Sequence, residues 1–254
     1  MHSRLTAALA GLAILGLAGT AKAIPVDLEL SLVIDSSGSI DPGEFSQQID
    51  GYAQAFRQTA VVDSIATTPN GIAVNTILFA SDAVEVITFQ HLVTEQDVLD
   101  FADALAGVTR ATGGTDIADG INLAVETINT NNFESGNIII DVSGDGRQNV
   151  SGDPALSRDA ALSAGVSRIN GIVIGGLGLV DFYRDNVIGG TDAFVLQADS
   201  FDEFDTAIAN KIQVEVGAPD DGPDPSPVPA PGAIGLIGLG VFALGWVMRR
   251  RPLS

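Results

Sequence analysis

Three oxygen-bearing residues at alternate positions, Asp35, Ser37 and Ser39, stand out for the chemistry they could do. One carboxylate and two hydroxyls on a tight turn can converge on a single point, which suits a hard divalent cation that takes oxygen donors. Asp, Ser and Gly are also ordinary turn formers, so the motif becomes specific only if further oxygen donors reach the same place. Two residues qualify. Thr115 lies in the polar loop Arg110-Ala111-Thr112-Gly113-Gly114-Thr115-Asp116, and Asp145 lies in the turn Ser143-Gly144-Asp145-Gly146.

The elements that must position these residues alternate between strand and helix patterns. Val26 to Asp35 reads as a strand that begins half-exposed and enters a buried sheet centre at Leu32-Val33-Ile34. Asp41-Pro42-Gly43-Glu44 is a helix start, and Phe45, Ile49, Tyr52, Ala53, Phe56 and Ala60 follow at helical spacing. Gly71 to Ala80 predicts a second strand, and Val84 to Phe89 a short third strand antiparallel to it. Helices are expected from Thr94 and over Ile117 to about Asn129. Strands follow at Asn137–Val142, Ile169–Ile174 and Ala193–Leu196, with a helix from Asp153-Pro154 and a last helix over Phe201–Val214. Mostly apolar strands alternating with helices predict an α/β fold, a parallel sheet covered on both faces. In such sheets ligands bind beyond the carboxyl ends of the strands, where strand order reverses. If the strands ending at Asp35 and Val142 are neighbours there, Asp35, Ser37, Ser39, Thr115 and Asp145 face one crevice.

Composition narrows the function. The 254-residue chain has no cysteine, which excludes disulfides, zinc–thiolate sites and thiol nucleophiles. Its net charge is −20, and residues 24–230 hold 7 basic against 32 acidic groups. That surface repels phosphate backbones, so nucleic acid is excluded as a partner. Gly113-Gly114 and Gly175-Gly176 belong to no phosphate-loop signature, which excludes a nucleotide. His91 is the only histidine after residue 23 and falls in a loop after the hairpin, giving a Ser-His-Asp triad little support. Asp116 and Asp119 read as first-turn helix acids. Asp141, interrupting an apolar strand, reads either as a residue behind the site or as a hydrogen-bonded structural acid. Tyr183 and Arg184 read as packing and capping residues.

The five oxygen donors, in this order and with these intervening elements, resemble the metal-ion-dependent adhesion site (MIDAS) of von Willebrand factor type A (vWA) domains, over roughly residues 26–216. Gly144-Asp145-Gly146 and the stretch Phe182 to Gly190 look like an exported bacterial branch of that family. The resemblance implies a Rossmann-like three-layer αβα fold, mostly parallel, with one antiparallel edge strand. It implies Mg²⁺ as cofactor, with Mn²⁺ or Ca²⁺ as alternatives. Ser37 and Ser39 would bind directly, Thr115 directly when a ligand is present, and Asp35 and Asp145 largely through water. The implied partner is an acidic group on a protein or polysaccharide, whose carboxylate completes the shell. A non-enzymatic binding module is the leading reading; a metal-dependent hydrolase and a surface-matrix component are the alternatives.

The two ends suggest where such a module acts. Residues 1–23 read as a secretory signal peptide, with Arg4, an apolar run from Leu5 to Gly19, and the cleavage signal Ala21-Lys22-Ala23. Residues 24–216 then form the domain. Residues 217–231 carry six of the eleven prolines and read as an extended, unpacked linker. Gly232 to Met248 is a 17-residue uncharged apolar run followed by Arg249-Arg250-Arg251. At the short end of what spans a bilayer, it makes residues 232–254 read as a transmembrane or sorting tail, with the arginines in the cytoplasm, the domain outside, and a permanent single-span anchor as the plain alternative to processing. Val228-Pro229-Ala230-Pro231, the apolar run and the arginines resemble an exosortase (PEP-CTERM-like) sorting signal without its usual glutamate. Export across the inner membrane is the expected localisation, on the periplasmic side, the cell surface or the extracellular matrix.

Overall fold

The computed structural model describes residues 22–217 and 228–229. In chain order the elements are β1 (Ile24–Pro25), β2 (Leu28–Asp35), α1 (Pro42–Arg57), α2 (Thr59–Thr67), β3 (Ile72–Phe79), β4 (Ala83–Leu92), α3 (Glu95–Ala106) and α4 (Ile117–Thr130). Then come β5 (Phe133–Glu134), β6 (Ile138–Gly144), α5 (Pro154–Ser163), β7 (Arg168–Ile174), α6 (Leu177–Asn186), β8 (Gly189–Gly190), β9 (Phe194–Ala198), α7 (Phe201–Glu215) and β10 (Val228–Pro229). The main sheet runs β10-β9-β7-β6-β2-β3-β4, with β8 pairing β7. Its long pairings are parallel except β3 with β4, which bears out the antiparallel hairpin expected at the edge.

The helices start where local chemistry dictates. Asp41 caps α1, accepting from the amides of Gly43 and Glu44, while Glu44 Oε2 accepts from the Asp41 amide at 2.7 Å. This reciprocal pairing satisfies amides that no helical carbonyl reaches, and Pro42 at the first position forfeits none. Thr94 and Asp97 repeat the device at α3, and Asp116 and Asp153 cap α4 and α5. Strand alternation then divides the core. Leu28, Leu30, Leu32 and Ile34 pack against Ile49, Phe56, Val61, Phe101 and Phe204 from α1, α2, α3 and α7. Val33, Val142 and Val173 face Ile117, Ile121, Ala161 and Tyr183 from α4, α5 and α6. Three layers result.

The details depart from the sequence reading in four places. Helical spacing through Ala60 is interrupted: Gln58 is extended (φ −65°, ψ 133°), ending α1, and α2 begins anew with Val61, Val62 and Ile65 inward. Gln213 Nε2 on α7 donates to Gln58 Oε1 at 2.5 Å, a tertiary contact that holds the break. Helix α6 follows Gly175-Gly176, where helix breakers hide it from pattern reading. His91 lies within β4, paired with Ala73, and not in a loop. Val228–Pro229, read as part of an unpacked linker, pairs antiparallel with Phe194–Val195 at the sheet edge. Residues 1–21 of the expected leader, most of the linker and the apolar run from Gly232 lie outside the described residues. Among the described residues, no helix is long and apolar enough to cross a membrane.

Asp141 resolves as a structural acid. It sits on the α1–α7 face of β6, fully buried, with Lys211 Nζ of α7 at 2.5 Å from its Oδ1. The same ammonium lies 2.5 Å from Glu215 Oε1, which also accepts from Asn170 Nδ2 at 2.8 Å. Two buried carboxylates share one cation, so burial and Glu215 hold the Asp141 carboxyl up at about 7 despite Lys211. Removing the cation strands both acids. Lys211→Ala is expected to lose about 3–5 kcal/mol in urea unfolding. The triple change Asp141→Leu, Lys211→Met, Glu215→Leu is expected to recover most of that loss.

Candidate metal centre

Three loops meet beyond the carboxyl ends of β2 and β6. The first begins at Asp35, fully buried, whose Oδ1 accepts from the Ser37 amide at 2.7 Å. Two further ties fix this turn. The Asp35 carbonyl accepts from Gln48 Nε2 of α1 at 2.8 Å, and Ser36 donates its amide and hydroxyl to the Phe79 carbonyl at 2.9 and 3.1 Å. Arg110 spans from the loop after α3 and donates to the carbonyls of Ser37, at 2.7 Å, and Ile40. With its backbone so held, the turn sets Ser37 Oγ and Ser39 Oγ 3.1 Å apart.

Asp145 enters from β6. Ser39 Oγ donates to its Oδ1 at 2.6 Å, joining residues 106 apart in sequence. With its one hydrogen spent on Asp145, Ser39 Oγ accepts from Ser37 Oγ and keeps one lone pair for a cation, while Ser37 Oγ keeps both of its own. The second loop closes the crevice: the Gly38 amide donates to the Gly113 carbonyl at 2.9 Å, and the Gly114 amide to Ser81 Oγ at 2.7 Å. Thr115 is buried, and a Cβ at Gly146 would stand 3.6 Å from Thr115 Oγ1 and 3.9 Å from Ser39 Oγ, so both hydroxyls border one point. Asp35, Ser37, Ser39 and Asp145 are thus tied by direct hydrogen bonds, and Thr115 borders them across Gly146. Asp35 and Ser37 lie at the buried back; Ser39 and Asp145 face solvent at the mouth.

The electrostatics leave the crevice short of positive charge. Burial pushes the Asp35 carboxyl up to about 7; the bonds from Ser37 pull down, the Asp145 charge pushes further up, and the Asp145 amide pulls slightly down. Burial also raises Asp145, opposed by Ser39 and reinforced by Glu44. Among the described residues no ion pair reaches either acid. Asp35 Oδ2 is buried with no hydrogen-bond partner. An orphaned carboxylate oxygen behind an all-oxygen donor set fits a hard cation such as Mg²⁺, which takes oxygen ligands and keeps several waters.

Residues outside the motif complete the site. A Cβ at Gly144 would lie 2.8 Å from Asp35 Oδ2 and 2.7 Å from the Tyr183 hydroxyl, so only glycine lets β6 pass. Tyr183 is fully buried, and its hydroxyl, like Asp35 Oδ2, borders Gly144 and has no hydrogen-bond partner; Arg184 pairs on the surface with Asp181 and Asp185. Asn149, unmarked by any sequence pattern, bonds to Thr115 at both backbone and side chain. Gln48 was hidden likewise, as a polar residue inside an apolar helical face. Asp116 and Asp119 are helix-start acids: Asp116 Oδ1 accepts from the Asp119 amide at 3.0 Å and Gln148 Nε2 at 2.7 Å, and Asp119 Oδ2 from the Ala83 amide at 2.7 Å. His91 bonds the Asn70 carbonyl at 2.8 Å and packs on Phe133, partners outside the crevice.

Residues 25–220 match a family model described as "Protein of unknown function (DUF1194)". No curated protein matches the chain. Among solved structures, the chain is similar to proximal thread matrix protein 1 from the mussel byssus, at 20% identity and TM-score 0.57, over 77% of this chain and 47% of that one. Another structure of the mussel protein is described as having a zinc-occupied MIDAS motif (20% identity, TM-score 0.56, 78% and 47% covered). The pilus adhesin SpaC from Lactobacillus rhamnosus GG is similar at 13% identity and TM-score 0.56, over 78% and 32%. A von Willebrand factor type A protein from Catenulispora acidiphila is similar at 14% and 0.55, over 76% and 43%. The chain spans less than half the length of each. At these identities the likeness shows the fold, which is the mostly parallel vWA sandwich expected from the sequence.

Two outcomes follow from the site's geometry. Gly144→Ala is expected to cost about 1–3 kcal/mol in urea unfolding, by forcing a methyl against Asp35 and Tyr183. The second concerns pH. Asp35 binds its proton more tightly in the folded chain than at its ordinary 3.8, so its contribution is full below that value and is lost as pH rises through about 7. Cation-free protein is therefore expected to lose stability between about pH 4 and 7, Asp141 acting in the same direction. Saturating Mg²⁺ should remove the Asp35 share of that slope, which unfolding curves across this range with and without the cation would measure.

Proposed function

This chain belongs to the DUF1194 family, and we propose that it is an exported, metal-dependent binding module that holds an acidic group on a protein or polysaccharide. The observation that carries this reading is the hydrogen-bonded run Ser37–Ser39–Asp145 set before the buried, unpartnered Asp35 Oδ2. Ser37, Ser39 and Thr115 would hold Mg²⁺ through their hydroxyls, with Asp35 and Asp145 behind and beside them; Mn²⁺ or Ca²⁺ would meet the same donors. When bound, the cation supplies an electrophilic position that a carboxylate oxygen can fill. The protein's own part is to preorganise the donors. Gln48 and Arg110 fix the carbonyls of the first loop, which keeps the serine hydroxyls together. Neutral hydroxyls leave a cation's charge poorly neutralised, so an anionic partner is attracted without any residue acting as acid or base. In this reading no residue of the crevice is catalytic.

Likeness to a mussel thread-matrix protein with a zinc-occupied MIDAS and to a pilus adhesin supports a binding module over a hydrolase. Export rests on the leader pattern of residues 1–23, and attachment or sorting at the membrane on the apolar run Gly232–Met248 with its arginines. The negative charge of the domain argues that its partner's acidic groups are engaged locally, at the cation, and not by the surface as a whole.

Thermal melting tests the cation directly. Mg²⁺ at 100 times its Kd is expected to stabilise the wild type by about 2.7 kcal/mol. Asp35→Ala and Ser37→Ala are expected to lose that increment. Identical melting of wild type and Asp35→Ala, with and without Mg²⁺, would remove the metal reading. Pull-down from envelope and exopolysaccharide fractions, Mg²⁺-dependent in the wild type and lost in Thr115→Ala, then identifies the partner class.

A further inference from the structure

Thr115 is held by a single residue on three sides. The Thr115 amide donates to Asn149 Oδ1 at 2.8 Å, the Asn149 amide donates to the Thr115 carbonyl at 3.0 Å, and Asn149 Nδ2 lies 3.2 Å from Thr115 Oγ1. The orientation of the Asn149 side chain is fixed by elimination. A backbone amide can only donate, so the oxygen of Asn149 must face it. The nitrogen is then the atom at Oγ1, and a primary amide nitrogen can only donate. A threonine hydroxyl has two lone pairs and one hydrogen. Asn149 occupies one lone pair and forbids the hydrogen from pointing its way.

We infer that Asn149 is the positioning residue for Thr115 in the metal site: by taking one lone pair of the Thr115 hydroxyl and turning its hydrogen away from itself, it leaves the other lone pair for the crevice shared with Ser39. The inference rests on the metal reading above and adds a residue that lies outside the Asp-Ser-Ser-Thr-Asp set. Asn149 is exposed, so truncating it leaves no cavity, and its effect must pass through Thr115. Residues that orient a ligand in this way typically change metal affinity by about 10–100-fold when removed.

Substituting the amide by a carboxylate separates orientation from packing. In Asn149→Asp one oxygen still accepts the Thr115 amide. The other now accepts the hydroxyl hydrogen, which frees both lone pairs of Oγ1, and the added charge favours a cation. Titration with Mg²⁺ alone, followed by calorimetry and melting, is the test. Asn149→Ala is expected to weaken Mg²⁺ about 10-fold or more, and Asn149→Asp to bind it at least as tightly as wild type. An Mg²⁺ affinity in Asn149→Ala equal to wild type, with or without a lower melting temperature, overturns the proposal. So does Asn149→Asp weakened below wild type, which also decides the matter if the alanine variant does not fold. Wild type that responds to neither Mg²⁺ nor Mn²⁺ brings down the metal reading and this inference together. A response lost in Ser37→Ala but unchanged in Asn149→Ala brings down this inference alone.

Discussion

Six consecutive residue pairs hold β2 against β6, from Glu29 opposite Ile138 to Ile34 opposite Ser143. Everything in the crevice depends on that register. Side chains alternate faces along a strand, so a slip of one residue would exchange the sets that face the two helix layers. Leu30, Leu32 and Ile34 on one face and Val33 on the other forbid it, since each layer is fully packed. The two strands consequently end side by side, and their chains part in opposite directions at the reversal of strand order. Two turns with no common sequence are thereby brought to within one hydrogen bond, Ser39 to Asp145.

Two of the fold's buried acidic centres, on opposite faces of the sheet, are treated differently. Asp141 and Glu215 are closed off and share the ammonium of Lys211, so the charge they carry is met within the core and ties α7 to β6. Asp35 has no ion pair among the described residues and keeps one oxygen without a partner, while Arg110, which reaches the same loop, is spent on backbone carbonyls. Burying a carboxylate without compensation is costly, and cores are normally arranged to avoid it. The contrast within one domain marks Asp35 as a group kept for something outside the protein's own atoms.

Sequence reading reached the layers, the edge hairpin, the helix caps and the five crevice residues because each has a local signature. Period-two alternation, an Asp before Pro, or hydroxyls at alternate positions need no knowledge of distant chain. It failed where the cause is tertiary. The interruption at Gln58 is held by Gln213, and the helix at Leu177–Asn186 forms against β7 and β9 after two glycines that signal a break. Asp141 stayed ambiguous because its partner Lys211 lies on an element that only the folded sheet brings near. Asn149 escaped notice for the same reason: a lone asparagine after a turn acquires a role only when the loop before α4 is laid beside it.

The separation of Ser39 from Asp145 also orders the events of folding. Contacts between segments so far apart close only after the intervening chain has paid the entropy of a long loop. No fragment that ends before Asp145 contains the crevice, whatever local helices and hairpin it has formed. A chain emerging amino-terminus first therefore exposes Asp35, Ser37 and Ser39 as isolated, weak donors until β6 docks. On the metal reading proposed above, cation capture would be a late step, available to the completed sheet and denied to partly folded chains.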